Sequence, residues 1–495
     1  MLEMEINLVR SSIRSIGRTI ASGEIVISAQ LVSIWTRRPA WLAPTFVAVV
    51  SAGVLLLCER HFQTENASSL PDGFRIHDIS SNNSQQTLDV ADMNSFGPKS
   101  LWYSHVYPPL LDATRYLLML PETRAGLPPS GAAVDARLYW LFAALFGLVA
   151  TVVYLWVRDL TRSGWWALSA AFLWSIAPAS LITMTLLEPT PAAIPALAGL
   201  FYLLFRFLKT RRLGYATGFL AILLVASLVR NVVQVHVLVI LVIAVAAFWF
   251  MSKKRTVWLQ VLNCLIVALI FVWPVRAYLM YDTFDVSTHT GYHRAGALWI
   301  DPDTVPEPPY PQDIVDNALA FSSRFNTQET LKDNYRLSAA ANDLMLHHPI
   351  EAVGRLWRSL GITSANALLP ITSTTLNYMV AGVRWGPAYD FVFSGWRYIL
   401  LILASATVIA WRRGPRGVLR LLRRYAWFAA FWVLMAIPVL FSNRHLPPGS
   451  PEPTHTEAAR LKALIDIPVY VLIFYAIWLA FNALRSTLHR RQSVA

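Results

Sequence analysis

Long apolar runs, ten of them along one chain, restrict what this sequence can fold into more than any other feature. A hydrocarbon core about 30 Å thick takes about 20 mostly apolar helical residues to cross. Such stretches fall near 42–58, 137–157, 164–186, 191–208, 214–233, 235–252, 257–280, 391–411, 425–442 and 465–484. Isolated strands leave their backbone groups unsatisfied in lipid, so runs of this length predict helices. The composition agrees: 55% of the 495 residues are hydrophobic and 14% are charged, against about 25% charged in a soluble domain. An ordinary cytosolic enzyme is excluded. The expected fold class is an all-α polytopic membrane protein, with about ten transmembrane helices and outer loops that carry short interfacial helices.

Short basic connections set the orientation. Arg37-Arg38, Arg158 with Arg162, the run from Lys209 to Arg212, Lys253-Lys254-Arg255, the run from Arg412 to Arg424, and Arg485 with Arg490-Arg491 recur at every second crossing. Ten crossings then place both termini in the cytoplasm of a cell inner (plasma) membrane protein. With Arg206 counted inside, the inner side holds 23 of the 42 basic residues and 4 of the 29 acidic ones. The formal charge of +13 is therefore an orientation signal, and no nucleic-acid partner is needed to explain it; the bilayer is the partner it implies.

This pattern divides the chain into a cytoplasmic N-terminal segment (1–41), a transmembrane module over 42–280 with a large outer loop at 59–136, a second outer region at 281–390, and C-terminal helices and tail at 391–495. Arg10, Arg14 and Arg18 suit an amphipathic helix on an anionic surface, or a disordered tail. No removable signal peptide is expected in the first 41 residues. The second outer region opens with a Pro-rich loop at 302–311 and continues with helix-like patterning from 313 to 360.

Ionisable residues in or beside spans are costly and are functional candidates for that reason. Glu188 falls in the short outward turn Leu187-Glu188-Pro189-Thr190, Arg230 at the outer end of the fifth span, and Arg276 near the end of the seventh, in Trp273-Pro274-Val275-Arg276. Three hairpins thus bring charge to one face. Each has a structural alternative: the arginines can snorkel to headgroups, and Glu188 can cap the helix that begins near Thr190. The first outer loop adds Asp78, in His77-Asp78-Ile79, and the turn His105-Val106-Tyr107-Pro108-Pro109, in which each proline fixes φ and pushes its predecessor to extended geometry.

In this order the motifs resemble the GT-C superfamily of membrane glycosyltransferases, which includes the lipid A aminoarabinose transferase and protein O-mannosyltransferase group. The likeness extends over nearly the whole chain. Asp78 matches an acidic residue at the start of the first outer loop, and Tyr107-Pro108-Pro109-Leu110 a His-Pro-Pro-Leu-like turn about thirty residues later. Leu187-Glu188-Pro189 matches a Thr-Glu-Pro-like turn, Arg230 an arginine near the end of the fifth span, and Trp273 to Arg276 a span exit with arginine. Phe284 to Gly291 matches a Phe-x-x-Ser-Thr-x-x-Gly stretch, and Glu457 to Pro468 an acidic-x-Arg pattern before the last span. Two departures stand out: Tyr107 replaces the usual histidine, with His105 two positions earlier, and the second carboxylate beside Asp78 is missing. A divalent metal, which favours several oxygen ligands, is thereby weakly supported.

The resemblance implies an enzyme, an inverting transferase that moves a sugar from a polyprenyl-phosphate donor to a hydroxyl of a glycan, glycolipid or protein acceptor outside the membrane. It implies Asp78 as general base and Glu188 as a second catalytic carboxylate that orients donor or acceptor. Arg230 and Arg276 are implied as ligands of the donor phosphate, and His105, Tyr107, His289 and His293 as substrate-binding residues. Two other readings use the same residues: a transporter or flippase of a lipid-linked or anionic solute, and a polysaccharide ligase using a diphosphate lipid.

Overall fold

A computed structural model describes residues 41–64, 81, 87–185, 187–230, 247–252, 256–284, 287–307, 314, 326–357, 395–440 and 456–494. Asp78 lies outside them. The chain divides into a unit of residues 1–46 and a unit from Val47 to Ala495. Of the first, Trp41–Phe46 are described; they open a helix, with the Thr45 hydroxyl donating to the Trp41 carbonyl (2.9 Å).

Among the described residues the chain is helical and has no strand. In order, the helices are α1 (Leu42–Thr64), α2 (Val90–Phe96), α3 (Pro98–Tyr103), α4 (Leu110–Arg124), α5 (Gly131–Thr161), α6 (Gly164–Ser175), α7 (Pro178–Thr185), α8 (Pro189–Thr210), α9 (Leu213–Val229), α10 (Val257–Tyr281), α11 (Thr290–Ala297), α12 (Gln328–His347), α13 (Gly395–Leu440) and α14 (Thr456–Val494). Four described helices are long and apolar enough to cross a membrane: α5, α8, α10 and the stretch Leu464–Leu488 of α14. These match four of the ten expected stretches. Leu42–Cys58 and Leu213–Val229 are apolar but shorter.

The remaining stretches differ for local reasons. The run at 164–186 is two helices, α6 and α7, because Pro178 has no N–H to donate and disfavours helical geometry at the residue before it. The described parts of the runs at 391–411 and 425–442, residues 395–411 and 425–440, belong to α13, which changes direction at Gly414 (φ 66°). Glycine tolerates that positive φ, and Pro415 follows it directly. Most of the run at 235–252 lies outside the described residues.

Side-chain spacing explains the packing. Along α5 the buried residues Leu138, Phe142, Phe146, Val149, Val153 and Trp156 recur every three or four positions and form one face. That face packs on α6 and α8, while α8 packs on α9, and α14 touches both α5 and α8. Of the apolar window of α8, 78% is buried, against 28% for α10, so α10 is peripheral. Its exposed residues Val261, Leu265, Leu269, Val272, Val275 and Leu279 make a continuous apolar stripe. A stripe of that extent is stable against lipid rather than water.

A second exposed stripe runs over the end of α12 and the helical residues 349–357. Leu346, Ile350, Val353 and Trp357 are all exposed, at spacings of four, three and four. Ala341 and Ala352 face the other way and pack with Leu298.

Candidate functional site

The site begins where α3 stops. A helix end leaves carbonyls without intrahelical donors, and here α10 supplies two of them. The Arg276 guanidinium donates through Nη2 to the Trp102 carbonyl, and the Tyr281 hydroxyl donates to the Tyr103 carbonyl (2.6 Å). The Asn326 amide also reaches the Tyr103 carbonyl (3.4 Å).

The irregular segment 104–109 then pairs with the segment after α10. The Thr288 N–H donates to the His105 carbonyl (2.9 Å), and the Ser287 hydroxyl donates to the Val106 carbonyl. The His105 N–H donates to Asn326 Oδ1 (2.7 Å). The imidazole of His105 is therefore fixed at both ends of its own residue. Its Nδ1 pairs with the Thr288 hydroxyl (2.9 Å), its ring meets Tyr281 edge-on (5.3 Å between centroids), and its buried Nε2 has no hydrogen-bond partner.

Burial, the Arg276 charge and His289 all disfavour the imidazolium, and the His105 pKa is pushed down from 6.5 to about 3. A neutral imidazole with one nitrogen occupied and the other open offers that second nitrogen to whatever enters the site. The shift also carries a stability cost in acid, because the unfolded chain binds the proton more readily than the folded one. Stability present above pH 6.5 should be lost as pH falls towards the folded value, by about 2 kcal/mol between pH 6.5 and pH 5. Thermal unfolding of wild type and His105→Gln across this window should show the smaller pH dependence in the variant; parallel curves would contradict the assignment.

Arg276 is 4% exposed. Its guanidinium lies over Trp273 (4.5 Å), Tyr281 (5.0 Å) and Trp102 (5.8 Å), and Nε is without a partner. The rings hold the cation by cation–π attraction, which gains strength as water is excluded.

Tyr107 packs on His289 (5.2 Å between rings), and His289 lies 5.9 Å from Tyr292. His293 follows one turn along α11, its N–H donating to the His289 carbonyl (3.1 Å). Gly291 seats this helix on α12: its N–H donates to Asn334 Oδ1 (2.7 Å), and a Cβ there would stand 2.5 Å from the Asn334 carbonyl oxygen. Glycine is required by that approach.

Glu188 and Arg230 form a second group. Glu188 is extended (φ −139°, ψ 173°) at the N-cap of α8, ahead of Pro189, and makes no side-chain hydrogen bond to the first turn, so any capping there acts through the helix dipole alone. It is 3% exposed, and Arg230, at the end of α9, is 6% exposed. Arg230 Nη1 donates to the Thr190 hydroxyl, two residues from Glu188. Among the expected site residues, His105, Tyr107, Arg276 and His289 thus come together, Arg230 bonds Thr190 two residues from Glu188, and Asp78 is not described.

Sequence reasoning missed Asn326, Tyr281 and a buried network around Arg115. In that network Arg115 donates to Asp112 (2.8 Å), to the Leu88 carbonyl (2.6 Å) and to the Ser81 hydroxyl (2.9 Å). The Ser81 N–H donates to both carboxylate oxygens of Asp135 (3.1 and 3.2 Å). The i,i+3 spacing of Asp112 and Arg115 on one helix was the available signal. Among the described residues no three His, Cys, Asp or Glu side chains gather as a metal site requires. No protein-family model, no curated protein and no solved structure matches this chain.

Proposed function

We propose that this chain is an inverting glycosyltransferase of the GT-C kind, which takes a sugar from a polyprenyl-phosphate donor and transfers it to an acceptor hydroxyl on the extracytoplasmic side of the membrane. One observation supports the reading most. The stretch around His105 and the stretches around Arg276 and Ser287 to Gly291, singled out by motif order and 174 to 183 residues apart at their contacts, meet in one buried polar site. Ten spans with both termini cytoplasmic remain the preferred topology, and the exposed stripe from Leu346 to Trp357 suits a helix resting on the bilayer surface.

In this reaction the acceptor oxygen bonds to the anomeric carbon as the bond from that carbon to the phosphate oxygen breaks. The acceptor proton passes to the Asp78 carboxylate. The lipid phosphate leaves with the electron pair, and arginine meets it best because a guanidinium presents parallel N–H donors. Arg230 and Arg276 are assigned that role. Glu188 orients donor or acceptor, and His105 Nε2 contributes a neutral hydrogen-bonding position. The polyprenyl chain stays in lipid, which is why such chemistry belongs in a membrane protein.

The test is transfer by purified protein supplied with a polyprenyl-phosphate sugar. Asp78→Asn should lower the rate about 10²–10⁴-fold, the usual contribution of a positioned base. Wild-type transfer by that variant removes Asp78 as the base. Solute uptake into sealed vesicles without any new glycosidic bond favours the transporter instead.

A further inference from the structure

At the Thr210 end of α8 the chain reverses over Arg211 and Arg212 into α9. Arg211 takes the left-handed conformation (φ 58°, ψ 28°) and closes the helix with its N–H on the Phe207 carbonyl (2.6 Å). The last carbonyls of α8 are then met from α13. Arg424 donates through Nη2 to the Lys209 carbonyl (2.7 Å) and through Nε to the Leu208 carbonyl (3.3 Å). Tyr425 stacks on Phe205 of α8 (5.8 Å, 11°). From the other arm of α13, Arg413 Nη2 donates to the Tyr475 hydroxyl of α14 (2.6 Å).

Tyr425 stands within electrostatic range of Arg211, Arg413, Arg424 and Tyr475 together, and Arg424 stands close enough to Arg211 to oppose its charge. Three guanidiniums and two phenols therefore converge. Arg424 is held by two carbonyls and Arg413 by a hydroxyl rather than by an acid. The neighbouring carboxylate, Asp159, is committed to Arg206 and to the Tyr202 hydroxyl. Arg211 Nη1 is buried with no hydrogen-bond partner.

Arg413 and Arg424 are exposed and Arg211 half-buried, so water screens part of their mutual repulsion, and a bound counter-charge would remove the rest. Among the described residues no carboxylate pairs with any of the three. We propose that Arg211, Arg413 and Arg424, with the hydroxyls of Tyr425 and Tyr475, bind a phosphate group at this end of the helix bundle, separate from the site around His105. A phosphate oxygen pair matches the guanidinium fork, and basic clusters between membrane helices take anionic headgroups in this way. The same chemistry is offered by an anionic lipid headgroup and by a soluble phosphate.

Full-length protein in neutral detergent should be titrated with phosphatidylglycerol, phosphatidylcholine or inorganic phosphate while the thermal unfolding midpoint is followed. Phosphatidylglycerol should raise the midpoint where phosphatidylcholine does not. Loss of one arginine should raise the half-maximal concentration about fivefold in Arg211→Gln, and leave it unchanged in Arg212→Gln, which removes an equal charge from the exposed neighbour. Arg413→Gln provides a second reading should Arg211→Gln fold poorly. Protection by inorganic phosphate that depends on Arg211 assigns the site to a soluble phosphate; protection by phosphatidylglycerol alone assigns it to lipid. Equal effects of the two phospholipids with no effect of phosphate, or wild-type titrations for Arg211→Gln and Arg413→Gln, would overturn the proposal.

Discussion

Replacing Arg115 with methionine should cost about 3–5 kcal/mol, the range seen when one partner of a buried ion pair is removed. Native domains hold only about 5–15 kcal/mol in total, so a large share of the stability should be lost. The expectation rests on complete enclosure: the Arg115 side chain is 0% exposed and that of Asp112 4%. Methionine restores the volume but leaves Asp112 charged, and leaves the Leu88 carbonyl and the Ser81 hydroxyl without their donor. Several contacts are lost together, since the network ties Ser81 and Leu88 to α4 and, through Asp135, Ser81 to α5. Burial pushes the Asp112 carboxyl up and Arg115 pulls it back. Without the arginine the raised value stands, the folded state holds the proton more tightly than the unfolded one, and the deficit shrinks as pH falls. Thermal unfolding at two pH values measures this directly. The double variant Arg115→Met with Asp112→Leu should recover part of the loss, because two apolar groups leave no buried charge behind; no recovery would mean that the backbone contacts, not the ion pair, dominate.

Gly147→Ala should destabilise the α1–α5 pair by about 1–3 kcal/mol, the usual cost of overpacking. The same substitution at Gly53 should be neutral or favourable, since alanine is the better helix former by about 1 kcal/mol. The contrast follows from what each new methyl meets. At 147 it would stand 2.4 Å from the Ala48 carbonyl oxygen and 3.2 Å from its Cα, both backbone, whereas at Gly53 nothing lies within 4 Å. Nor can α1 slide away cheaply. Tyr139 donates to the Leu55 carbonyl (3.1 Å), and Ser51 and Ser175 share a buried hydrogen bond (2.7 Å). Small residues allow such backbone approach between membrane helices. The unfolding midpoint should fall in Gly147→Ala and hold or rise in Gly53→Ala, and equal shifts would sink the steric argument.

Hydropathy alone located α5, α8, α10 and the apolar stretch of α14, because each buries or exposes an unbroken length of apolar chain. It misread 164–186 for a plain reason: averaging over a window hides a single proline, and Pro178 decides where one helix must stop. Gly414-Pro415 carries the corresponding signal in α13. In the site, motif order brought forward His105, Tyr107, Arg276 and His289. Asn326 gave no sign of itself, since its amide matters only once the chain has brought it to a partner 221 residues away. Asp112 and Arg115 were visible as a helical pair, yet pairs at that spacing are ordinary on exposed helices. Their complete burial beside Ser81 and Leu88, which no local pattern reveals, is what separates this pair from the rest.

The placement of Arg276 on α10 has a bearing on how a ligand would be counted. At 100° per residue, Arg276 falls on the border between the exposed stripe of Val272, Val275 and Leu279 and the buried face of Trp273 and Ala277. The half-exposed indole of Trp102 stands over its guanidinium. Along this edge the polar site and the surrounding oil are separated by roughly the thickness of a ring. A molecule with a fatty tail and a charged head could keep the tail dissolved in the leaflet while the head turns inward, with neither end passing through bulk water. Its effective abundance is then a mole fraction in two dimensions, diluted by every added inert lipid and indifferent to the volume of the flask.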